Sequence, residues 1–179
     1  MAANTDKEGY SNFDKNECSC NYREDKFSVI TSANIVNLEY FEEIGRFNDK
    51  LFIDMVDYDY CLRINIKKFK ILYFPDVFVE HKLGEVHLRT NIFTRKKKYK
   101  TEHNAQRAYY ISRNSLYLSK NYGKYFSKEF GMLHILNIVF IHDVTKILLY
   151  EIDKWNKLKA KFIGLYHFLI NRYGKYNLK

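Results

Sequence analysis

The sequence predicts a single α/β domain whose first part alternates short strands with helices and whose last part is helical. Three observations predict this fold class. Apolar, β-prone runs occur at 27–35 (FSVITSANI) and 69–74 (FKILYF), a helical pattern of apolar residues lies between them, and helical patterns continue from Gln106 onward. With 179 residues, of which 46% are hydrophobic, the chain is long enough to bury a real core.

Charge and cysteine content narrow the class of protein. The formal net charge of +9 favours an anionic partner, such as nucleic acid, an acidic membrane surface or a phosphorylated substrate. Residues 1–26 are almost wholly polar, so we expect a polar arm or loop and no secretory signal there. Cys18, Cys20 and Cys61 are too few for a disulfide framework or a zinc site. We therefore expect a reduced, cytoplasmic protein.

Helix signals and the single proline place the first elements. Asn37 is a good N-cap and Gly45 a good stop, so a short helix is predicted over LEYFEEI between them. The spacing of Val56, Tyr60 and Ile64 predicts a second helix that reaches about residue 68. Pro75 predicts a turn between a strand at 69–74 and a second short strand at 77–79.

Three carboxylates lie within the stretch FIDMVDYDYCLR at 52–63, namely Asp54, Asp57 and Asp59. If the stretch is helical, Asp54 and Asp57 share one face. Their large apolar neighbours favour a place at the boundary of the core, where a carboxylate can act as a general base or a metal ligand. The alternative is a first helical turn that carries acids because they suit the positive end of the helix dipole.

Basic residues beyond the proline turn have two interpretations each. The run RKKKYK at 95–100, within a segment at 82–104 that we expect to be irregular, is a solvated loop or a phosphate site. Arg107 and Arg113 lie among the tyrosines of a helix predicted at 106–122. Each either clamps a phosphate or carboxylate group of a ligand or pairs with a carboxylate of the fold. His81, at a strand end, is a site residue or a structural one.

The C-terminal helices also leave two interpretations open. Polar residues such as His134 and Asn137 interrupt the apolar run at 132–149, so we do not expect it to span a membrane. The segment 151–179 mixes large apolar residues with seven Lys and Arg against two acids, a balance of +5. It is an amphipathic helix that lies on an anionic membrane, or a core-packing helix with a solvated basic back.

Five motifs occur in an order that resembles the second half of a family 2 glycosyltransferase, most closely the bacterial rhamnosyltransferase branch. They are SAN at 32–34, IGRF at 44–47, FIDMVDYDYCLR at 52–63, FKILYFPDVFVEHKLG at 69–84 and RAYYISRN at 107–114. The resemblance implies part of a Rossmann-like GT-A fold at 27–122, followed by basic amphipathic helices at 123–179. It also implies inverting transfer of a sugar, with rhamnose as the candidate, in the synthesis of a cell-surface polysaccharide.

The resemblance further implies a role for each matching residue. Asp57 matches the general base that deprotonates the acceptor hydroxyl, and Asp54 is expected to bind the acceptor. His81 matches a strand-end histidine that helps to hold a divalent metal, Mn or Mg, on the nucleotide diphosphate. Ser32 and Asn34 are further expected acceptor contacts. Diphosphate or acceptor binding is expected at Arg107, Tyr110, Arg113 and Asn114.

The donor-binding half of such an enzyme is expected to be absent, because only 26 polar residues precede Phe27 and each βαβ unit takes about 30 residues. We expect a fragment with little activity alone, which associates with itself or with a partner that carries the donor half. Its expected ligands are a nucleotide-diphosphate sugar, with dTDP-rhamnose as the candidate, and a saccharide or lipid-linked acceptor at the inner face of a membrane.

Two other functions stay open. A basic nucleic-acid-binding module would use the RKKKYK run and stacking tyrosines, although the acidic centre argues against an anionic ligand there. A non-catalytic, membrane-peripheral scaffold would need only the basic C-terminal helices.

Overall fold

The computed structural model describes residues 23–24, 27–30, 32, 34–74, 86–90, 95, 97–101 and 103–178. The α-helices of these residues are α1 (Leu38–Ile44), α2 (Val56–Ile66), α3 (Ala105–Tyr122), α4 (Ser127–Phe130), α5 (Met132–Leu136), α6 (Asp143–Tyr150) and α7 (Lys154–Leu169), with a π-helix at Asn137–His142. The strands are β1 (Arg23–Glu24), β2 (Leu72–Tyr73), β3 (Val86–Thr90) and β4 (Lys97–Thr101). β1 pairs with β2 and β3 with β4, both antiparallel.

The predicted helices before residue 123 are confirmed. The Asn37 side chain caps α1 by accepting a hydrogen bond of 2.9 Å from the Glu39 N–H, and Gly45, at φ 92°, ends the helix. A positive φ of this kind favours glycine. The helix α2 begins at Val56 as its apolar spacing predicts, and α3 begins one residue before the predicted start.

The strands differ more from the sequence prediction. No strand forms at the described residues 27–30, where Phe27 instead packs against Phe126 and Phe130. Of the run 69–74, only Leu72–Tyr73 is a strand. The segment expected to be irregular contains the β3–β4 ladder, in which Leu88 lies opposite Tyr99. Apolar and polar residues alternate in V-H-L-R-T, whereas the lysines of K-K-Y-K-T hide this pattern.

The predicted turn at Pro75 and the strand at 77–79 lie outside the described residues. The described strands form only two-stranded ladders, so the GT-A sheet remains a prediction. A strand of two residues is hard to predict from sequence, because two residues contain no full alternation of apolar and polar positions.

One buried core contains residues from both 27–122 and 123–179, the two regions that the sequence analysis distinguishes. Its members come from the turn before α2 and from α2, α3, α4, α5 and the π-helix. They are Leu51, Leu62, Leu116, Leu118, Phe130, Ile135 and Val139. The short helices after α3 therefore pack on the same core as the acidic stretch.

The helix α7 packs closely against α3, and the chain then runs back along α3 without helical structure. At Gly164 a Cβ atom would lie 2.6 Å from the Tyr109 carbonyl oxygen, so only glycine permits this approach. Beyond α7, residues 172–178 have no helix or strand. This C-terminal tail is held by hydrogen bonds to α3, and it is one support of the site described next.

Candidate functional site

A cleft of about 600 Å³ lies between the start of α2 and the start of α3. Its polar side chains are Asp54, Asp57, His103 and Arg107, and its apolar lining includes Phe52. We call it the acidic cleft. Two predicted site residues, Asp54 and Asp57, and one predicted arginine, Arg107, thus come together across 50 residues of sequence.

The turn that carries Asp54 has an unusual backbone. Phe52, Asp54 and Met55 have φ angles of 64°, 58° and 64°, although none is glycine. Such left-handed conformations cost free energy for residues with a Cβ atom, and they persist only where surrounding contacts hold them. The turn lies directly before α2 and aims its side chains at the cleft.

Asn114 supplies the contacts that hold this turn. Its fully buried side-chain amide donates to the carbonyl oxygens of Leu51, Ile53 and Asp54, at 3.0, 2.8 and 2.9 Å. The structure therefore places Asn114 behind the acidic cleft, where it contacts backbone and not ligand space. Asn114 thus holds the turn that carries Asp54, and its role in binding a diphosphate or acceptor stays a prediction.

Arg113 has the same kind of role. Its guanidinium is fully buried and donates to the carbonyl oxygens of Lys50, Leu51 and Gly174, at 3.1, 3.1 and 2.8 Å. It thereby ties the turn before α2 to the C-terminal tail. The two alternatives for this arginine are an anionic ligand and a carboxylate of the fold. Its described partners are instead mainly backbone carbonyl oxygens.

Tyr110, a further predicted ligand contact, is also buried. Its hydroxyl donates to the Tyr176 carbonyl oxygen at 3.0 Å and accepts from the Tyr176 N–H at 2.7 Å. Tyr109 beside it contacts the His167 ring nitrogen at 2.8 Å. The tyrosines of the RAYYISRN motif thus anchor the C-terminal tail and α7 on α3.

Arg107 is the member of that motif that faces the cleft. Its Nη2 lies 2.5 Å and its Nε 3.2 Å from Asp54 Oδ1, with the Asp54 side chain 10% and the Arg107 side chain 42% exposed. The alternative that this arginine pairs with a carboxylate of the fold is confirmed. Because the guanidinium is partly exposed beside open space, the pair also keeps donors available to a ligand.

Asp57 lies in the first turn of α2 and lines the same cleft. The condition for a helix face shared with Asp54 is not met, because α2 begins at Val56 and Asp54 belongs to the preceding turn. Burial raises the pKa of Asp57, and the neighbouring Asp54 charge raises it further, while the hydrogen bond from the Tyr58 N–H lowers it. A carboxylate with a raised pKa is a stronger base once it is ionised.

Asp59, two residues on, belongs to the interior. It is fully buried and accepts hydrogen bonds from Arg63, Tyr122 and Asn48. Arg63 in turn donates to the carbonyl oxygens at 44–46, at the end of α1. Asp59 therefore joins α1, α2 and α3 and takes no part in the cleft.

His103 is a cleft residue that the sequence analysis does not single out. It precedes Asn104, the N-cap of α3, in a segment expected to be irregular. Burial lowers the pKa of His103, and the nearby positive charges of Arg107 and Lys146 lower it further. A histidine next to a helix N-cap has no spacing pattern that marks it, so only the fold brings it to Asp54 and Asp57.

The remaining predicted site residues lie elsewhere. Ser32 and Asn34 are exposed and are not among the described residues that line the acidic cleft. His81 lies outside the described residues. Within the described ranges, no group of three or more His, Cys, Asp and Glu side chains could hold a metal ion. The described cleft residues thus do not form a metal site by themselves, and the divalent metal stays a prediction.

Comparison with known proteins gives one informative similarity. The chain is 33% identical over 98 residues to a dTDP-rhamnosyl transferase, RfbF, of Shigella flexneri. The aligned part covers 52% of this chain but only 30% of that relative. No protein-family profile and no solved structure matches the chain. The similarity supports a relationship to glycosyltransferases, while donor, acceptor and activity remain matters for proposal.

Proposed function

We propose that this chain carries the acceptor side of a family 2, GT-A-type glycosyltransferase domain. One observation carries the proposal: Asp57, which the resemblance assigns as the base, lies in a cleft with Asp54 and Arg107. The similarity to a dTDP-rhamnosyl transferase points to the same class of reaction. The proposed donor is a nucleotide-diphosphate sugar, with dTDP-rhamnose as the first candidate, and the acceptor is a saccharide or lipid-linked saccharide.

The chemistry proposed for the cleft needs one proton transfer. The ionised Asp57 carboxylate takes the proton of an acceptor hydroxyl as that oxygen forms a bond to the anomeric carbon of the donor sugar. The bond between that carbon and the diphosphate oxygen breaks at the same time, with inversion, and the diphosphate leaves with the electron pair. Burial suits Asp57 to this task because it raises the pKa of the carboxyl.

Asp54 and Arg107 fit a positioning role beside this base. Asp54 is fixed by Arg107 on one side and by the backbone contacts of Asn114 on the other, so its carboxylate is preorganised. A preorganised carboxylate can accept hydrogen bonds from sugar hydroxyls. Phe52 offers an apolar surface at the same cleft.

In the proposed enzyme, this acceptor side works together with a donor-binding half. Apolar residues stand exposed in the described N-terminal region, where such a half would pack. They are Ile30, Ile35, Leu38, Leu72 and Phe74. Exposed apolar residues of this size favour association.

The test is a chimera of the Shigella relative in which the matching segment of this chain replaces the 98 aligned residues. We expect rhamnosyl transfer from dTDP-rhamnose, and we expect Asp57→Asn in the chimera to lower kcat by roughly 100-fold or more, as for a lost general base. Asp49→Asn, an exposed change of the same kind, is the matched control. A folded chimera that transfers no sugar, or one in which Asp57→Asn retains full activity, would contradict the proposal.

A further inference from the structure

The helix α7 exposes several large apolar side chains, whereas an ordinary surface helix exposes mainly polar ones. Its outward residues are Trp155, Phe162, Tyr166 and Leu169, and Trp155 is 82% exposed. At 3.6 residues per turn these four fall within about 60° of arc. Its buried residues are Lys157, Ala160, Lys161, Gly164 and His167. Four large apolar side chains thus face outward, while two lysines and a histidine face inward beside the partly buried Ile163, Leu165 and Phe168.

The helical stretch before α7 shows the same preference. Ser127–Tyr150 is a helical run of 24 residues, long and apolar enough to cross a membrane by length and composition. Its most apolar window of 18 residues has a mean hydropathy of 1.6, and only 17% of that window is buried. Its exposed members include Leu133, at 84%, and Ile141 and Leu148. The rings of Phe140 and Phe162 lie 6.3 Å apart, which joins this surface to that of α7.

Charged groups occupy the space between these helices. Lys157 lies 3.0 Å and Lys146 3.3 Å from the Glu151 carboxylate, and both Lys157 and Glu151 are almost fully buried. Lys161 donates to the Val139 carbonyl oxygen at 2.9 Å and to Asp143 at 3.2 Å. Each buried charge has a partner, which is the condition for charges that lie away from water.

Such an arrangement is costly for a surface that meets water. Exposed apolar area is unfavourable in water, and this cost disappears where the medium outside the helices is itself apolar. The buried lysines keep their partners within the fold in either medium. We propose that the outer surface of α5, the π-helix, α6 and α7 docks into an anionic lipid bilayer. We call this surface the docking face and define it by Leu133, Ile141, Leu148, Trp155, Phe162 and Leu169.

Charge distinguishes a bilayer from another protein as the occupant. Lys157 and Lys161 of the segment 151–179 are buried with acidic partners, but Lys159, Arg172 and Lys175 on or just beyond α7 are exposed and give the outer surface positive charge. Anionic headgroups complement these charges, and tryptophan and tyrosine suit the boundary between headgroups and acyl chains. A second copy of this chain would instead bring two basic surfaces together, which repel each other.

Trp155 gives a direct test because it is the only tryptophan in the chain. The full chain is mixed with phosphatidylcholine vesicles with and without phosphatidylglycerol, and its fluorescence is recorded. We expect a blue shift that is strongest with phosphatidylglycerol, together with quenching by brominated acyl chains. Unchanged emission would overturn the proposal. So would a blue shift that follows protein concentration without lipid, because it would indicate a second copy as the occupant.

Matched variants locate the contact. Phe162→Ser with Leu169→Ser removes two side chains of the docking face and should weaken vesicle partitioning roughly 100-fold, about tenfold for each side chain. Ile35→Ser with Leu38→Ser removes two equally apolar, exposed side chains elsewhere and should change partitioning less than threefold. Equal losses in both pairs would contradict the docking face. Vesicle binding needs no sugar, so this result is independent of the glycosyltransferase proposal.

Discussion

Two aspartate–arginine pairs, five residues apart at their acidic ends, show how differently one short acidic stretch is used. Asp59 is fully buried, and Arg63, Tyr122 and Asn48 all donate to it. Asp54 pairs with Arg107 at the edge of an open cleft, and its partner is 42% exposed. The inner pair has its hydrogen-bonding capacity filled by the fold, whereas the outer pair retains capacity for a ligand. The difference separates a structural carboxylate from a candidate functional one.

The RAYYISRN motif shows the same division on the other side of the cleft. Arg107 faces the cleft, while Arg113 and Asn114 are fully buried and bind the backbone of the turn that presents Asp54. Within this motif, Arg113 and Asn114 therefore support a strained turn, and the tyrosines anchor the C-terminal tail and α7. The strain at Phe52, Asp54 and Met55 is held by side chains of α3.

The largest loss of stability is expected for the inner pair, Asp59 and Arg63. Asp59→Asn removes the charge opposite Arg63 and replaces a carboxylate oxygen by an amide that cannot accept all of the existing hydrogen bonds. We expect the free energy of unfolding to fall by about 3–5 kcal/mol, as when one partner of a buried ion pair is lost. Urea denaturation followed by circular dichroism measures it.

Asp54→Asn is the comparison for that experiment. Its partner Arg107 is partly exposed, so we expect a loss within about 1 kcal/mol. Equal losses in the two variants would show that the division between an inner and an outer pair has no energetic basis.

The next largest loss of stability is expected in the RAYYISRN motif, where Arg113 and Arg107 are compared. Arg113→Lys keeps the charge but cannot reach the carbonyl oxygens of Lys50, Leu51 and Gly174 together, so we expect a loss of about 2–3 kcal/mol. Arg107→Lys should cost less than about 1 kcal/mol, because its head group is partly in water. Thermal melts of both variants measure the difference, and a larger loss at residue 107 would contradict the assignment.

Local signals predict much of this fold and less of its site. The caps of α1, the apolar spacing of α2 and the approach of Asp57 to a cleft follow from residue types at short range. The β3–β4 ladder was missed because its charged residues hide the alternation. His103 could not be predicted, because no spacing pattern marks it. For α7 the sequence left two interpretations open, since a helical pattern shows which residues share a face and not which face is buried.

The smallest predicted effect is a pH-dependent change in the Tm of Asp57→Asn. The sign of this change distinguishes a functional carboxylate from a structural one. Burial raises the pKa of Asp57, so the folded protein holds that proton more tightly than the unfolded chain does. This contribution to stability is fully present below the unfolded pKa, near 3.9, and is lost as pH rises through the folded value. Asp57→Asn cannot ionise, so its Tm should rise relative to the parent protein between pH 4 and pH 7.5.

Asp49→Asn is the control for the loss of one exposed negative charge in this experiment. A relative Tm of Asp57→Asn that falls over the same pH range would mean that the ionised carboxylate stabilises the fold, as a helix-dipole or cap contact would. The expected rise would mean that the fold tolerates an unfavourable charge in the acidic cleft. A carboxylate kept at a cost to stability is what a general base requires, because the surroundings that raise its proton affinity also destabilise its ionised form.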